Sequence, residues 1–361
     1  MAERAWVATK KGLLSFQRTR RGWAFDRLSF AGEPVTSVLP PADGARPMLA
    51  ALNLGHFGVK CHASMDGGLS WREVAVPVYP EQPEQSVDEV AWKLVQIWSL
   101  AAAGDTIYCG TLPGGLFRSD DFGASWQLER ALWDRPERRE WFGGGYDVPG
   151  IHSILIDPAE PQQLLVGISC GGAWRTRDGG QSWALAARGM RAAYLPPELA
   201  DNPNIQDPHS IAVCAAARDT LWCQHHNGIF RSVDGAATWQ AVAPVPVSDF
   251  GFAVAAHPRN PDCAWFVPAI KDECRIPPEQ AMAVLRTRDG GQSFDVLRDG
   301  LPQQDCFDLV YRHGLAVADN GEQLLMGSTT GSLWASENGG EHWQRIGSHF
   351  PPVLAVAFEA D

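Results

Sequence analysis

The 361-residue sequence has no CxxC pair, no basic stripe and no apolar run approaching the roughly 18 residues that a membrane-spanning helix requires. It carries a net charge of −12, and its only basic clusters are Arg18, Arg20 and Arg21, and Arg135, Arg138 and Arg139, each beside acidic or aromatic residues. That balance argues against a nucleic-acid or anionic-membrane partner, because both need a basic field to displace counterions. The N-terminus, Met-Ala-Glu-Arg-Ala-Trp-Val, lacks a charged segment leading into a long apolar run, so no signal peptide is expected. The eight cysteines, Cys61, Cys109, Cys170, Cys214, Cys223, Cys263, Cys274 and Cys306, then read as free thiols of a cytoplasmic protein. Uninterrupted helix is excluded as well, since 36 Gly and 26 Pro would break helices along the whole chain. Hydrophobic residues make up 45% of the sequence, enough to exclude disorder. Tyrosine is scarce at 5, whereas tryptophan, at 15, exceeds what an ordinary core needs.

An internal repeat accounts for much of that tryptophan. One octapeptide recurs as Ser64 to Trp71, Ser119 to Trp126, Thr176 to Trp183, Ser232 to Trp239, Thr287 to Phe294 and Ser336 to Trp343. Its third residue is Asp66, Asp121, Asp178, Asp234, Asp289 or Asn338, at intervals of 55, 57, 56, 55 and 49 residues. A hydroxyl and a carboxylate that accept from nearby backbone N–H groups, a glycine free to take positive φ and a closing indole are the parts of a hairpin turn. Short apolar runs on either side make each copy a strand, turn and strand.

These residues resemble the BNR or Asp-box repeat, Ser/Thr-x-Asp-x-Gly-x-x-Trp. Ala236 replaces the usual Gly, Phe294 the usual Trp and Asn338 the usual Asp. The resemblance implies a β-propeller, with each box between the third and fourth strands of a blade and away from the functional face. The boxes are then structural. Innermost strands are expected at 35–39, 97–101, 151–156, 209–214, 252–256, 307–311 and 353–358. The last has no box after it, and residues 5–9, 12–16 and 23–30 supply its missing strands. The expected fold is therefore all-β: a single seven-bladed β-propeller domain over residues 1–361 with six Asp-box turns. Its blades span approximately 34–77, 95–131, 151–189, 208–244, 250–298, 305–347, and 352–359 with 5–30. Pairing of the C-terminal strand with the N-terminal strands closes the ring and removes exposed sheet edges.

The side of a propeller opposite its box turns is the one expected to hold ligand. Aligning the inner strands places Trp98, His152, His209 and Asp308 in one column. Aligning the loops between strands two and three places Cys170 and His226 in another, with His225 beside His226. The long loop 78–93 adds Lys93, and the loop 132–150 adds Glu140, Trp141, Tyr146 and Asp147. The insertion after the second strand of the fifth blade adds Lys271, Asp272, Glu273 and Arg275.

His152 and His209 are candidates for acid–base or ligand-orienting work. With His226, and Asp207 or Asp308, they are alternatively ligands for a divalent metal, and on a third reading they simply pack and hydrogen-bond. Asp147, Glu140, Asp207, Asp272, Glu273 and Asp308 offer a carboxylate pair for glycoside hydrolysis. Cys170 is either a nucleophile or a small buried residue. Lys93, Lys271 and Arg275 either pin an anionic ligand group or remain solvated. Trp92, Trp98, Trp133 and Trp141 are the tryptophans expected to contact a ligand.

Asp-box propellers include sialidases, which resemble one another in an arginine triad, an Arg-Ile-Pro segment ahead of the first box and a Tyr–Glu nucleophile pair. Here Arg275-Ile-Pro277 follows four boxes, so the resemblance stops short of a typical sialidase. Two classes of function remain. One is a glycosidase-like or other hydrolase acting on a small polar or carbohydrate-type ligand. The other is a non-catalytic scaffold that binds protein partners, with a His-ligated metalloprotein as a further alternative.

Overall fold

Each octapeptide does close a hairpin between a third and a fourth strand. In the computed structural model, which describes residues 1–41 and 46–359, Ser64 Oγ donates to Asp66 Oδ1 at 2.8 Å and accepts from the Gly68 N–H at 2.8 Å. The Ser70 N–H and hydroxyl then donate to Asp66 Oδ1 and Oδ2 at 2.9 and 2.6 Å. The same bonds recur around Asp121, Asp178, Asp234 and Asp289. Bonds from the serine at the seventh position hold the Asp178 and Asp289 carboxyls down at about 2. In the last turn, Asn338 Oδ1 accepts from Ser336 Oγ and the His342 N–H at 2.9 and 3.0 Å. Asn has no second acceptor oxygen, and His342 stands where the other copies have a hydroxyl. Ala236 takes φ +65°, the left-handed conformation that glycine adopts at the same place in the other copies.

The chain divides into two compact units, Met1–Val35 with His209–Asp361, and Thr36–Pro208. Seven four-stranded antiparallel sheets result, the pattern of a seven-bladed β-propeller. The second unit carries three of them. These are Val35–Leu39, Met48–Asn53, Val59–Ser64 and Arg72–Val74; Gln96–Ala103, Thr106–Leu112, Leu116–Ser119 and Gln127–Leu128; and Ile151–Ile156, Leu164–Ile168, Gly172–Thr176 and Ala184–Leu185.

The first unit carries the other four. Three follow the chain: Pro208–Cys214, Ala217–His225, Gly228–Ser232 and Gln240–Val242; Gly251–Ala256, Ala264–Pro268, Val284–Thr287 and Asp295–Leu297; and Leu315–Val317, Leu324–Gly327, Leu333–Ser336 and Gln344–Gly347. The fourth joins the chain ends, with Val353–Phe358 paired to Arg4–Thr9 in the register Ala5↔Phe358 and Val7↔Val356, followed by Gly12–Thr19 and Gly22–Ser29.

Two strands toward the inside of their sheets, Met48–Leu52 and Gly251–Ala256, are buried on both faces and read as continuous apolar runs. Trp6, Trp174, Trp222, Trp265 and Trp334 are at most 1% exposed. Each removes about 150–250 Å² from water, on the order of 4–6 kcal/mol before the entropy of ordering is subtracted.

One expected inner strand is corrected. Residues 307–311 are apolar apart from Asp308 and read as a strand, yet the strand that pairs with Leu324–Gly327 is Leu315–Val317. Cys306, Leu309 and Val310 are buried while Phe307 is 54% exposed, a pattern set by packing in an irregular segment. Among the described residues no helix is long and apolar enough to cross a membrane.

Candidate functional site

In the first unit, two imidazoles and two arginines gather around Phe250 and Phe252. The His209 ring stacks on Phe252 with centroids 4.5 Å apart and planes at 14°. Its Nδ1 lies 2.6 Å from the Gly251 carbonyl oxygen. A carbonyl only accepts, so Nδ1 carries the proton, and in the neutral ring Nε2 is the basic atom. The half-buried His226 ring lies 5.4 Å from His209, and Phe250 completes the triangle at 5.6 and 5.7 Å. Tyr311 meets Phe252 edge-on at 5.1 Å. The guanidinium carbons of Arg275 and Arg312 lie 5.4 and 5.5 Å from the Phe252 centroid.

The 269–283 insertion supplies Arg275. Lys271 and Cys274 bond to each other through their backbones and turn the segment back on itself. Asp272 Oδ1 accepts from Arg275 Nη2 and Nε at 2.5 and 3.1 Å, and Tyr311 Oη lies 3.4 Å from Nη1. Asp272 thus aims the guanidinium across the aromatic group. Lys271 and Glu273, both exposed, pair with each other at 3.5 Å.

His225 and Asp308 are engaged in the fold itself. The Asn227 N–H donates to His225 Nδ1 at 3.0 Å, so this fully buried ring holds the hairpin turn between the second and third strands of its sheet. Asp308 Oδ1 accepts from Ser328 Oγ at 2.6 Å and from Thr330 Oγ1, while Oδ2 accepts from the Cys306 thiol at 3.3 Å. Burial pushes that thiol up to about 12, which keeps it a donor at neutral pH. The carboxylate therefore fastens 306–308 to the 328–332 turn.

The second unit arranges its own set. His152 is buried, with Nδ1 2.9 Å from Ser153 Oγ and its ring 5.6 Å from Trp98. Tyr146 packs edge-on against Trp98 at 5.2 Å, and its hydroxyl accepts from Gln96 Nε2 at 3.3 Å. Asp147 beside it is exposed, as is Lys93. The glycine run is needed here, because a Cβ on Gly143 would lie 2.2 Å from the Tyr146 carbonyl oxygen. Trp141 is buried and donates to Asn204 Oδ1 at 2.9 Å, and Asn204 in turn donates to Glu140 at 2.9 Å. Trp133 is buried as well, between Tyr79 and Trp92. These two indoles pack the long loops. Cys170 takes φ +47° and donates its N–H to Asp207 Oδ1 at 3.2 Å, and its sulfur lies 3.8 Å from Tyr194 Oη.

Sequence reasoning passed over Arg312 and Tyr194. Tyr194 had a signal, the long connection between Ala184–Leu185 and Pro208–Cys214. Arg312 had none beyond its place after an apolar run.

No protein-family model matches the sequence, and neither does any curated protein sequence. The likeness is one of fold. A GH74 xyloglucanase from Xanthomonas campestris superposes with a TM-score of 0.63 at 17% identity, over 95% of this chain and 52% of the enzyme. An ancestral GH74 enzyme gives 0.61 at 16% identity, over 95% and 40%. YCF48 bound to D1 peptide gives 0.54 at 12% identity, over 87% of this chain and 82% of YCF48. The chain thus spans about half of the first and two fifths of the second, but most of the third.

Proposed function

We propose that this chain is a cytoplasmic propeller of the Asp-box type, acting as one domain, that binds a small polar ligand of carbohydrate type over the His209, His226, Phe252 and Arg275 cluster. The observation that carries the reading is the convergence on Phe252 of a stacked His209 with a fixed proton and an Arg275 aimed by Asp272. Phe252 and His209, each 2% exposed, form the buried floor of the cluster, and the half-buried His226 and Arg275 supply directed hydrogen bonds to the ligand. His209 Nε2 and His226 are the groups suited to acid–base work on such a ligand. Glycoside hydrolysis by a carboxylate pair is less favoured in this unit, because Asp308 is taken up by Ser328, Thr330 and Cys306, and Asp272 by Arg275.

The second reading is a scaffold for a protein or peptide partner. What favours it is coverage, since the chain spans most of peptide-bound YCF48 but only about half of the xyloglucanase.

A panel of mono- and oligosaccharides screened by saturation-transfer NMR, with product release followed in parallel, tests the first reading. Saccharide binding that falls on the order of tenfold or more in Arg275→Ala and in His226→Ala is the expected result. Failure of every saccharide to bind, or equal binding by the variants, overturns it.

A further inference from the structure

The outer strand of the sheet that joins the chain ends is unlike the others. Gly22–Ser29 has eight residues, whereas the six other fourth strands have two to four. Short outer strands are a common defence against edge-to-edge pairing, and this strand lacks it. It also presents two apolar side chains, Phe25 at 54% and Leu28 at 44% exposure.

A bulge decides which faces these side chains occupy. Against Gly12–Thr19 the register runs Leu14↔Leu28, Ser15↔Arg27, then Phe16↔Phe25, so Asp26 is the extra residue. Phe25 and Leu28 therefore share the face of Leu14 and Phe16, although they are three apart in sequence. Asp26 and Arg27 share the opposite face, where Ser15 Oγ donates to Asp26 Oδ2 at 3.0 Å. An unbulged strand laid on this edge falls out of phase by one residue and turns half its side chains to the wrong side.

A strand with the same bulge does not. In an antiparallel two-fold pairing of Gly22–Ser29 with itself, the longest register that keeps every opposed pair on a common face is the one that sets Asp26 against Arg27 of the second copy. Phe25 then opposes Leu28, and Ala24 opposes Ser29, each pair occurring twice by symmetry. The two bulges meet at the axis and cancel. Opposite charges face each other on one side of the ribbon and apolar side chains on the other, the pairings that stabilise adjacent strands.

We infer that this edge is a self-association surface whose partner is a second copy of this chain, joined strand to strand in that register. The test is sedimentation velocity on the full chain over a concentration series. A reversible dimer is expected. Asp26→Arg and Arg27→Asp each place like charges in both central pairs and weaken dimerisation on the order of tenfold or more. Mixed one to one, the two variants regain the wild-type affinity as a heterodimer, because each supplies the charge the other needs. Leu28→Glu, at an exposed side chain that leaves the Ser15–Asp26 bond in place, weakens the dimer without rescue by either variant. The inference is overturned by a wild-type chain that stays monomeric up to its solubility limit. It is equally overturned by Asp26→Arg and Leu28→Glu chains that associate like wild type, or by a mixture that associates no better than its components.

Discussion

The Arg138–Asp88 pair of the second unit and the Arg275–Asp272 pair of the first are built from the same chemistry. In each, a carboxylate holds a guanidinium against aromatic rings, at 3.9 Å from the Trp133 centroid for Arg138 and 5.4 Å from that of Phe252 for Arg275. Burial separates them. The Arg138 and Asp88 side chains are 8% and 5% exposed, those of Arg275 and Asp272 34% and 38%. Arg138 also donates from Nε to the Trp133 carbonyl at 2.6 Å, and Asp88 accepts from Trp92 Nε1 at 2.7 Å. That pair ties two long loops together. The pair that stays open to solvent is the one proposed above to meet a ligand.

Breaking the closed pair produces the largest effect. Arg138→Met leaves Asp88 buried without its cation and is expected to destabilise the protein by about 3–5 kcal/mol, while Asp88→Leu combined with Arg138→Met recovers most of the loss. Urea denaturation of the three proteins measures this. Burial acts to raise the Asp88 carboxyl, but the Trp92 and Arg138 bonds outweigh it and hold the group below its ordinary value. Its contribution is therefore present above the ordinary carboxylate range and lost as pH falls through the depressed value. A single Arg138→Met change as mild as a surface substitution would remove the distinction between the pairs.

Glu129 sharpens the comparison, because it is a largely buried carboxyl whose nearby charges, Arg118 and Asp120, oppose each other. It presses on the octapeptide turn at Gly180, where a Cβ would lie 2.4 Å from its Oε2, and burial raises it from 4.5 to about 7. The sign is opposite to that of Asp88. The folded chain binds this proton more tightly than the unfolded one, so stability is full below the ordinary glutamate value and declines as pH rises through about 7. Glu129→Gln is expected to change little at pH 4 and to stabilise at pH 8 by on the order of 1–3 kcal/mol. A stabilisation that is equal at both pH values would show that the carboxyl does not titrate in this range.

The repeat was legible because its chemistry is local. A hydroxyl, a carboxylate and a glycine within eight residues close the same turn wherever they occur; their spacing marks six blades, and the strands at the two chain ends supply the seventh. Strand assignment failed at 307–311 because Asp308 takes its partners from Ser328 and Thr330, twenty residues on, and the pairing strand begins only after Gly314. At Gly314 the backbone passes so close to Gly327 and Tyr311 that a Cβ would sit 2.7 and 3.0 Å from their carbonyl oxygens. The site was legible by region only. His225 and His226 are adjacent and identical in sequence, and only the turn through Asn227 commits the first to the backbone. Among the tryptophans expected to contact ligand, Trp133 and Trp141 are buried in loop packing, which no pattern of spacing distinguishes from exposure.

The smallest stability effect belongs to the open pair, and there the comparison is most exposed to failure. Arg275→Ala removes a half-exposed ion pair and a guanidinium-to-ring contact, which together are worth about 1 kcal/mol or less in water. Calorimetry should therefore place its melting temperature close to that of wild type. The same substitution removes the guanidinium that the 269–283 insertion brings over the Phe252 ring, so its consequence should appear in ligand titrations and not in folding. A loss of stability comparable to that of Arg138→Met would make Arg275 a second structural staple. The aromatic cluster would then owe its order to the insertion, and the case for a ligand there would rest on His209 and His226 alone.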